Sequence, residues 1–287
     1  MTTQPAALFV GLATLDVVAL VERMPGANEK TTASRTWLAA GGPAAVAAIT
    51  FAALGGRASL LTALGTGVAA DSVRADLASA GVQVVDAAPA SFELAVSCAW
   101  VNPATGDRAV ASGSGTRPVF GAVAAPELTG VDVVLVDGHH PELALAAVGG
   151  AAKAGIDVVV DAGSHKPIFD EVYRFASTVI CSADYRHPGG LAPPELLRLG
   201  PALVAVSQGG DPLRWWTTGA SGSLPVPPTA VVDTLGAGDV LHGAYCFALA
   251  TGRRDLDALA FAVRAASVRV GSLGPFAWRT AIAASAE

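Results

Sequence analysis

Lysine is nearly absent from this chain: Lys30, Lys153 and Lys166 are the only three, so arginine carries almost all the positive charge. Charged residues make up 15% of the 287 positions, the formal net charge is −6, and no basic run occurs. That balance argues against a nucleic-acid partner. Cysteine is scarce as well. Cys98, Cys181 and Cys246 are odd in number and far apart, which fits neither a metal-ligand spacing nor a disulfide framework and points to a reducing cytoplasm. The first ten residues lack the basic start and cleavage pattern of a secretory signal. The apolar run from Ala6 to Val21 contains Asp16 and is too short to span a bilayer, so no membrane partner is expected.

What is present is small and apolar. Hydrophobic residues make up 52% of the chain while aromatics make up 6%, so the core is expected to be large and built from short side chains. Strand-like and helix-like segments alternate. Strands are expected at Ala7–Gly11, Ser59–Leu64, Val82–Val85, Val131–Asp137, Asp157–Asp161, Thr178–Ser182 and Ala202–Ser207. Helices are expected at Pro43–Leu54, Asp71–Ala80, Pro141–Ala154, near Pro167–Phe175, at Pro194–Leu199, near Gly238–Ala250 and at Asp255–Val270. Continuous Val/Leu runs separated by helices predict an α/β fold whose mostly parallel sheet is covered on both faces. Residues 12–41 and 91–118 break the rhythm with strand-like pieces and turns, such as Asn102-Pro103-Ala104-Thr105-Gly106, but no helix. Two such insertions can pair into one small β-sheet lid. The remainder, 1–11, 42–90 and 119–287, forms the α/β core.

The segment Val231 to Ala244 concentrates the chemistry. Gly236 and Gly238 flank Ala237, and Asp239 follows where an apolar helix begins. Glycines let backbone N–H groups approach a ligand, and a helix N-terminus favours an anion there. A carboxylate repels phosphate but can take a proton from a hydroxyl that attacks phosphate. The pattern suggests phosphoryl transfer to an alcohol.

The motifs Gly11-Leu12-Ala13-Thr14-Leu15-Asp16, Gly41-Gly42-Pro43-Ala44-Ala45, Val136-Asp137-Gly138, Val160-Asp161-Ala162-Gly163 and Asp233-Thr234-Leu235-Gly236-Ala237-Gly238-Asp239 span nearly the whole chain. Together they resemble the ribokinase (PfkB-type) carbohydrate kinases, most of all the ketohexokinase and sulfofructose-kinase branches. The resemblance implies a ribokinase-like three-layer α/β/α core with the small lid, and ATP-dependent transfer of the γ-phosphate to a hydroxyl of a ketose-like sugar. It makes Asp239 the general base and the N–H groups of Gly236, Ala237 and Gly238 the anion hole. It further implies that Asp16, Gly41 and Gly42 meet the sugar, with Asn28, Lys30 and His139 as additional contacts. Ser207, Gly209, Thr234, Ala265 and Ser267 correspond to nucleotide-binding positions. Asp184, in Cys181-Ser182-Ala183-Asp184, stands for the carboxylate that holds Mg²⁺ through water, and Asp233 for a monovalent-cation ligand, with K⁺ as that ion. The open lid edges imply a homodimer through the lid.

The chain departs from the family pattern at Val46, where an amide usually meets the sugar, and at the shortened element around Asp184. These departures keep a second reading open, a catalytically silent sugar- or nucleotide-binding regulator. A nucleoside kinase is a third, since Trp37 and Trp100 could stack on a base.

Overall fold

The computed structural model describes residues 4–89, 91–113, 120 and 123–284. In chain order the strands are β1 (Ala6–Val10), β2 (Thr14–Leu20), β3 (Arg35–Gly41), β4 (Arg57–Thr62), β5 (Val82–Asp86), β6 (Val96–Val101) and β7 (Arg108–Ala111). They continue with β8 (Val133–Val136), β9 (Asp157–Ala162), β10 (Thr178–Ser182), β11 (Leu203–Gln208), β12 (Asp211–Thr217) and β13 (Ser221–Leu224). The helices are α1 (Pro43–Ala53), α2 (Val68–Ser79), α3 (Pro141–Ala154), α4 (Phe169–Val172), α5 (Ala237–Ala250), α6 (Asp255–Val270) and α7 (Trp278–Ala284).

Nine strands form one sheet in the order β13-β12-β11-β10-β9-β8-β1-β4-β5. From β11 to β5 every pairing is parallel, while β12 and β13 add an antiparallel edge. The inner strands are buried on both faces, which is why β1 and β8 read as unbroken apolar runs. Alternate side chains feed two cores. Phe9, Val133 and Leu135 pack with α1, α2, α5, α6 and α7, and Leu8, Val10, Val134 and Val136 pack with α3 and α4. The fold is a three-layer α/β/α sandwich, as expected.

The insertions meet as expected, in a second sheet of order β3-β2-β6-β7. Its central pair, β2 with β6, is parallel, and the outer pairs are antiparallel. The expected boundary at 118–119 lies outside the described residues.

Three expectations change. The helix near Pro167–Phe175 is a single turn, α4, followed by a 3₁₀ turn at Tyr173–Phe175, and Pro193–Leu199 is also 3₁₀. The hairpin β12–β13 was not expected: Pro212 and a strand with one buried position hide the pattern, and Pro212 is tolerated because it falls where the β11–β12 register shifts, between Asp211 and Arg214. Helix α7 is a seven-residue segment anchored by Trp278 and Ile282, too short for a periodic signal.

Candidate active site

The segment after β13 runs to α5 through a loop pinned from below. Asp233 is buried, and its Oδ1 accepts the Leu235 N–H at 2.9 Å. Gly236 takes a left-handed conformation, φ 74°, as the N-cap of α5, a position glycine adopts without the Cβ penalty. The first turn therefore opens with Ala237 and Gly238, and Asp239 projects from it. Asp239 is half-buried and lines a small crevice with Asp16, Gly42, Val46, Leu235 and Gly236.

Asp16 enters this crevice from the lid. It lies on β2 opposite Ala39 of β3 and Ser97 of β6, so the strand alternation aims it at the core with Val18 and Leu20. Its Oδ1 accepts the Thr14 hydroxyl at 2.6 Å, and burial raises its pKa against that bond. Both glycines of the Gly41-Gly42 pair have steric reasons. A Cβ on Gly41 would lie 2.0 Å from Asp16 Oδ2. One on Gly42, at φ 94°, would lie 2.5 Å from the Leu12 carbonyl oxygen. Val46, three residues into α1, fills the crevice floor with an apolar side chain.

The site is wired to the sheet through two carboxylates at strand ends. Asp137, just past β8, accepts the N–H groups of Leu12 at 2.8 Å and Ala44 at 3.2 Å through Oδ2, and that of His139 at 2.9 Å through Oδ1. It thus ties the start of the lid to the first turn of α1. Burial opposes its charge, but His139 and these bonds hold its carboxyl well below the usual range. Asp161, in β9, is also buried, and its Oδ2 has no hydrogen-bond partner. Burial first, and the nearby charge of Asp161 second, push the Asp239 pKa up to about 7, against the opposing pull of His242 and Arg108.

The other expected residues separate into groups. His139 lies at the C-terminal edge of the sheet, its Nδ1 3.1 Å from Asp137 Oδ1. Asn28 and Lys30 are exposed in the loop between β2 and β3 and are not among the residues lining the crevice. Ser207 and Gly209 end β11, with the Ser207 hydroxyl 3.4 Å from the Cys181 carbonyl and Gly209 open to solvent. Ala265 and Ser267 are buried in α6, where the Ser267 hydroxyl bonds the Val263 carbonyl. Thr234 faces the lid: its hydroxyl bonds the Gly106 carbonyl at 2.9 Å, and its own carbonyl accepts from Arg108. Asp184 is exposed just past β10.

Asp233, the expected monovalent-cation ligand, is engaged by a buried side chain. Its Oδ2 pairs at 2.9 Å with Arg269, a guanidinium only 2% exposed that also donates to the carbonyls of Asp233 and Ser272. Sequence reasoning missed Arg269, His242 and Arg108. His242 stands three residues after Asp239 on the same helix, a spacing that could have revealed it. Arg108 reaches the site only because β7 pairs with β6, and nothing local announces that.

Among the described residues no helix is long and apolar enough to cross a membrane. A glycine-opened helix N-terminus, a half-buried carboxylate in its first turn and a second carboxylate under a β-sheet roof meet in one crevice. The chain matches the pfkB family of carbohydrate kinases over residues 5–160 and 191–278, and it belongs to that family. It is 26% identical over 275 residues to a ribokinase of Bacillus subtilis strain 168, covering 92% of each chain. It is 27% identical over 296 residues to a ketohexokinase of Mus musculus, covering 93% of this chain and 96% of that one. The fold is also that of an Arabidopsis thaliana ribokinase solved with ribose and ATP, with a TM-score of 0.76, 21% identity and 99% of both chains covered. The protein is a carbohydrate kinase.

Proposed function

We propose that the chain transfers the γ-phosphate of ATP to a hydroxyl of a ketose-like sugar, with Asp239 as the general base. The observation that carries this reading is the shared crevice: Asp239 from the core and Asp16 from the lid face one space at the N-terminus of α5. A sugar held by Asp16 offers vicinal hydroxyls to a carboxylate able to accept both. Asp239 takes the proton of the attacking hydroxyl as the sugar oxygen bonds to the γ-phosphorus and the bond from that phosphorus to the β,γ-bridging oxygen breaks, releasing ADP. The N–H groups of Gly236 and Gly238 face the charge that grows on the transferred group, and that of Ala237, which donates to the Thr234 carbonyl at 3.3 Å, joins them by sharing that bond. Because Val46 offers no hydrogen bond, one sugar hydroxyl goes uncontacted there, which favours a substrate with an apolar or deoxygenated edge at that point.

ATP meets the core at the ends of β11 and α5, with Ser207, Gly209, Ala265 and Ser267 as nearby groups. Thr234 supports the loop from the lid side. The exposed carboxylate of Asp184 suits a hard cation held through water, and Mg²⁺ there neutralises phosphate charge. Asn28 and Lys30 become sugar contacts as the loop between β2 and β3 closes over the crevice, and His139 meets the sugar from the C-terminal edge of the sheet. The buried Arg269–Asp233 pair supports turnover without K⁺, since the oxygens that would cage a monovalent ion already surround a guanidinium. Three free cysteines and a need for ATP support a cytoplasmic setting. The homodimer is proposed to form through the outer face of the lid.

The deciding experiment is a coupled ATPase screen over ketoses, aldoses, sugar acids and nucleosides, followed by Asp239→Asn on the best substrate. The substitution is expected to lower kcat by roughly 10²- to 10⁴-fold while leaving ATP binding intact. A variant with near wild-type kcat would remove Asp239 from the mechanism.

A further inference from the structure

His242 is buried one turn into α5, and among the described residues the polar partners of its ring nitrogens are all acceptors. Nδ1 lies 2.7 Å from the Gly238 carbonyl oxygen. Nε2 lies 3.3 Å from the Ile180 carbonyl oxygen and 3.6 Å from Asp161 Oδ1. Carbonyls and carboxylates have no hydrogen to give, whereas a neutral imidazole keeps one bare nitrogen. If Nδ1 were bare, its lone pair would face the Gly238 oxygen at 2.7 Å. If Nε2 were bare, it would face Ile180 and a carboxylate together. Neither tautomer satisfies this pocket, and the imidazolium does.

Asp161 has the reciprocal need. Its Oδ1 accepts the Gly163 N–H at 3.1 Å, and among the described residues its Oδ2 is buried without a hydrogen-bond partner and the His242 ring is the basic group within ion-pair distance. A buried carboxylate without a counter-charge is strongly disfavoured. The carbonyl that His242 grips belongs to Gly238, whose N–H is part of the proposed anion hole.

We propose that His242 carries a proton on both ring nitrogens and acts as a positioning residue, its fixed charge offsetting Asp161 beside Asp239 and its Nδ1–H bracing the anion loop. This rests on the reading of Asp239 as the base. The ionisable groups around the pair are few. Asp161 comes from β9, Cys181 from β10, Arg108 from β7, Asp16 from β2 and Arg269 from α6, and Asp239 and Cys246 share α5. Strand β1 and helix α1 contribute none, while Asp137 follows β8 next to Asp161 in the β8–β9 register and has His139 as its own partner at 3.1 Å. Burial, and then Asp161, push the Cys181 and Cys246 thiols up, so both stay neutral and His242 is the buried group left to answer Asp161.

The test is ¹⁵N NMR of the imidazole nitrogens in histidine-labelled wild-type protein at about pH 7. The chain has five histidines, and the signals lost in His242→Asn assign those of His242. Two protonated nitrogens are expected, and one protonated with one bare nitrogen would overturn the proposal. A second arm follows kcat/KM against pH in His242→Asn, which keeps a donor for Gly238 but not the charge. Its acid limb is expected to move up by about one pH unit or more, with kcat reduced and sugar KM little changed. A limb that superimposes on the wild-type one would overturn the electrostatic role. The NMR result stands whether or not Asp239 is the base, so failure of that reading, seen in Asp239→Asn, is distinguishable.

Discussion

A single added methyl group at Gly41 would occupy the place of the Asp16 carboxylate, 2.0 Å from its Oδ2. Gly41→Ala is therefore expected to displace Asp16 and raise sugar KM roughly tenfold to a hundredfold, with ATP KM unchanged. An equal rise in both KM values would mean a general loss of structure instead. Asp239 gives a pH expectation of the opposite kind. Its pKa is pushed up to about 7, chiefly by burial, and the base works only when ionised. Activity should therefore rise with pH through about 7 and fall on the acid side, and the limb should vanish in the residual activity of Asp239→Asn. A flat profile from acid to neutral pH would contradict the raised carboxyl. At this scale the sequence was informative wherever chemistry is local. The turn at Gly236 and the helix start carrying Asp239 could be read from their motif, because a left-handed N-cap and a helix N-terminus favour those residue types. Arg108, Arg269 and Asp161 could not be given roles, because each acquires its partner from a segment more than thirty residues away.

Helix α6 shows what an element contributes beyond its own surface. Its last turn carries Arg269 under the anion loop, where the guanidinium holds Asp233, and Asp233 in turn holds the Leu235 N–H. The loop is thus tied to α6 by a pair that is 2% and 1% exposed. Rates in K⁺ and in a buffer free of K⁺ and Na⁺ are expected to be equal for the wild type. Arg269→Met leaves Asp233 buried and uncompensated, a change that costs about 3–5 kcal/mol. If the protein still folds, K⁺ should stimulate the variant. Stimulation of the wild type by K⁺ would refute the tethered-cation reading. Among elements, long apolar strands and helices such as β8 and α1 were legible because burial on all sides leaves a continuous pattern. The hairpin β12–β13 and helix α7 were not. Their stability comes from docking at an edge, and docking leaves little periodicity in a short segment.

For the molecule as a whole, the lid has one face toward the crevice and one away from it. Val18, Leu20, Ala99 and Val101 pack inward, while Leu38, 63% exposed, Val96, 43%, and Cys98 lie on strands whose alternate residues point outward. With β3 and β7 as open edges, this face is the surface proposed for a second copy. Light scattering should give twice the chain mass, and Leu38→Glu should return it to a monomer. A monomeric wild type at working concentration would end the proposal.

The tip of the lid is also bonded to the phosphate side of the site. Arg108 donates to the Thr234 carbonyl, and the Thr234 hydroxyl donates to the Gly106 carbonyl, so the β6–β7 turn and the anion loop are fastened together. Roof and loop are expected to move as one, so that sugar and ATP communicate through a single equilibrium. Whatever the sugar does to the affinity for ATP, ATP must do to the affinity for the sugar by the same factor. Calorimetric titration of each ligand with and without the other would read that factor, and Thr234→Val with Arg108→Ala should bring it close to one. A factor untouched by cutting both bonds would place the communication elsewhere in the protein.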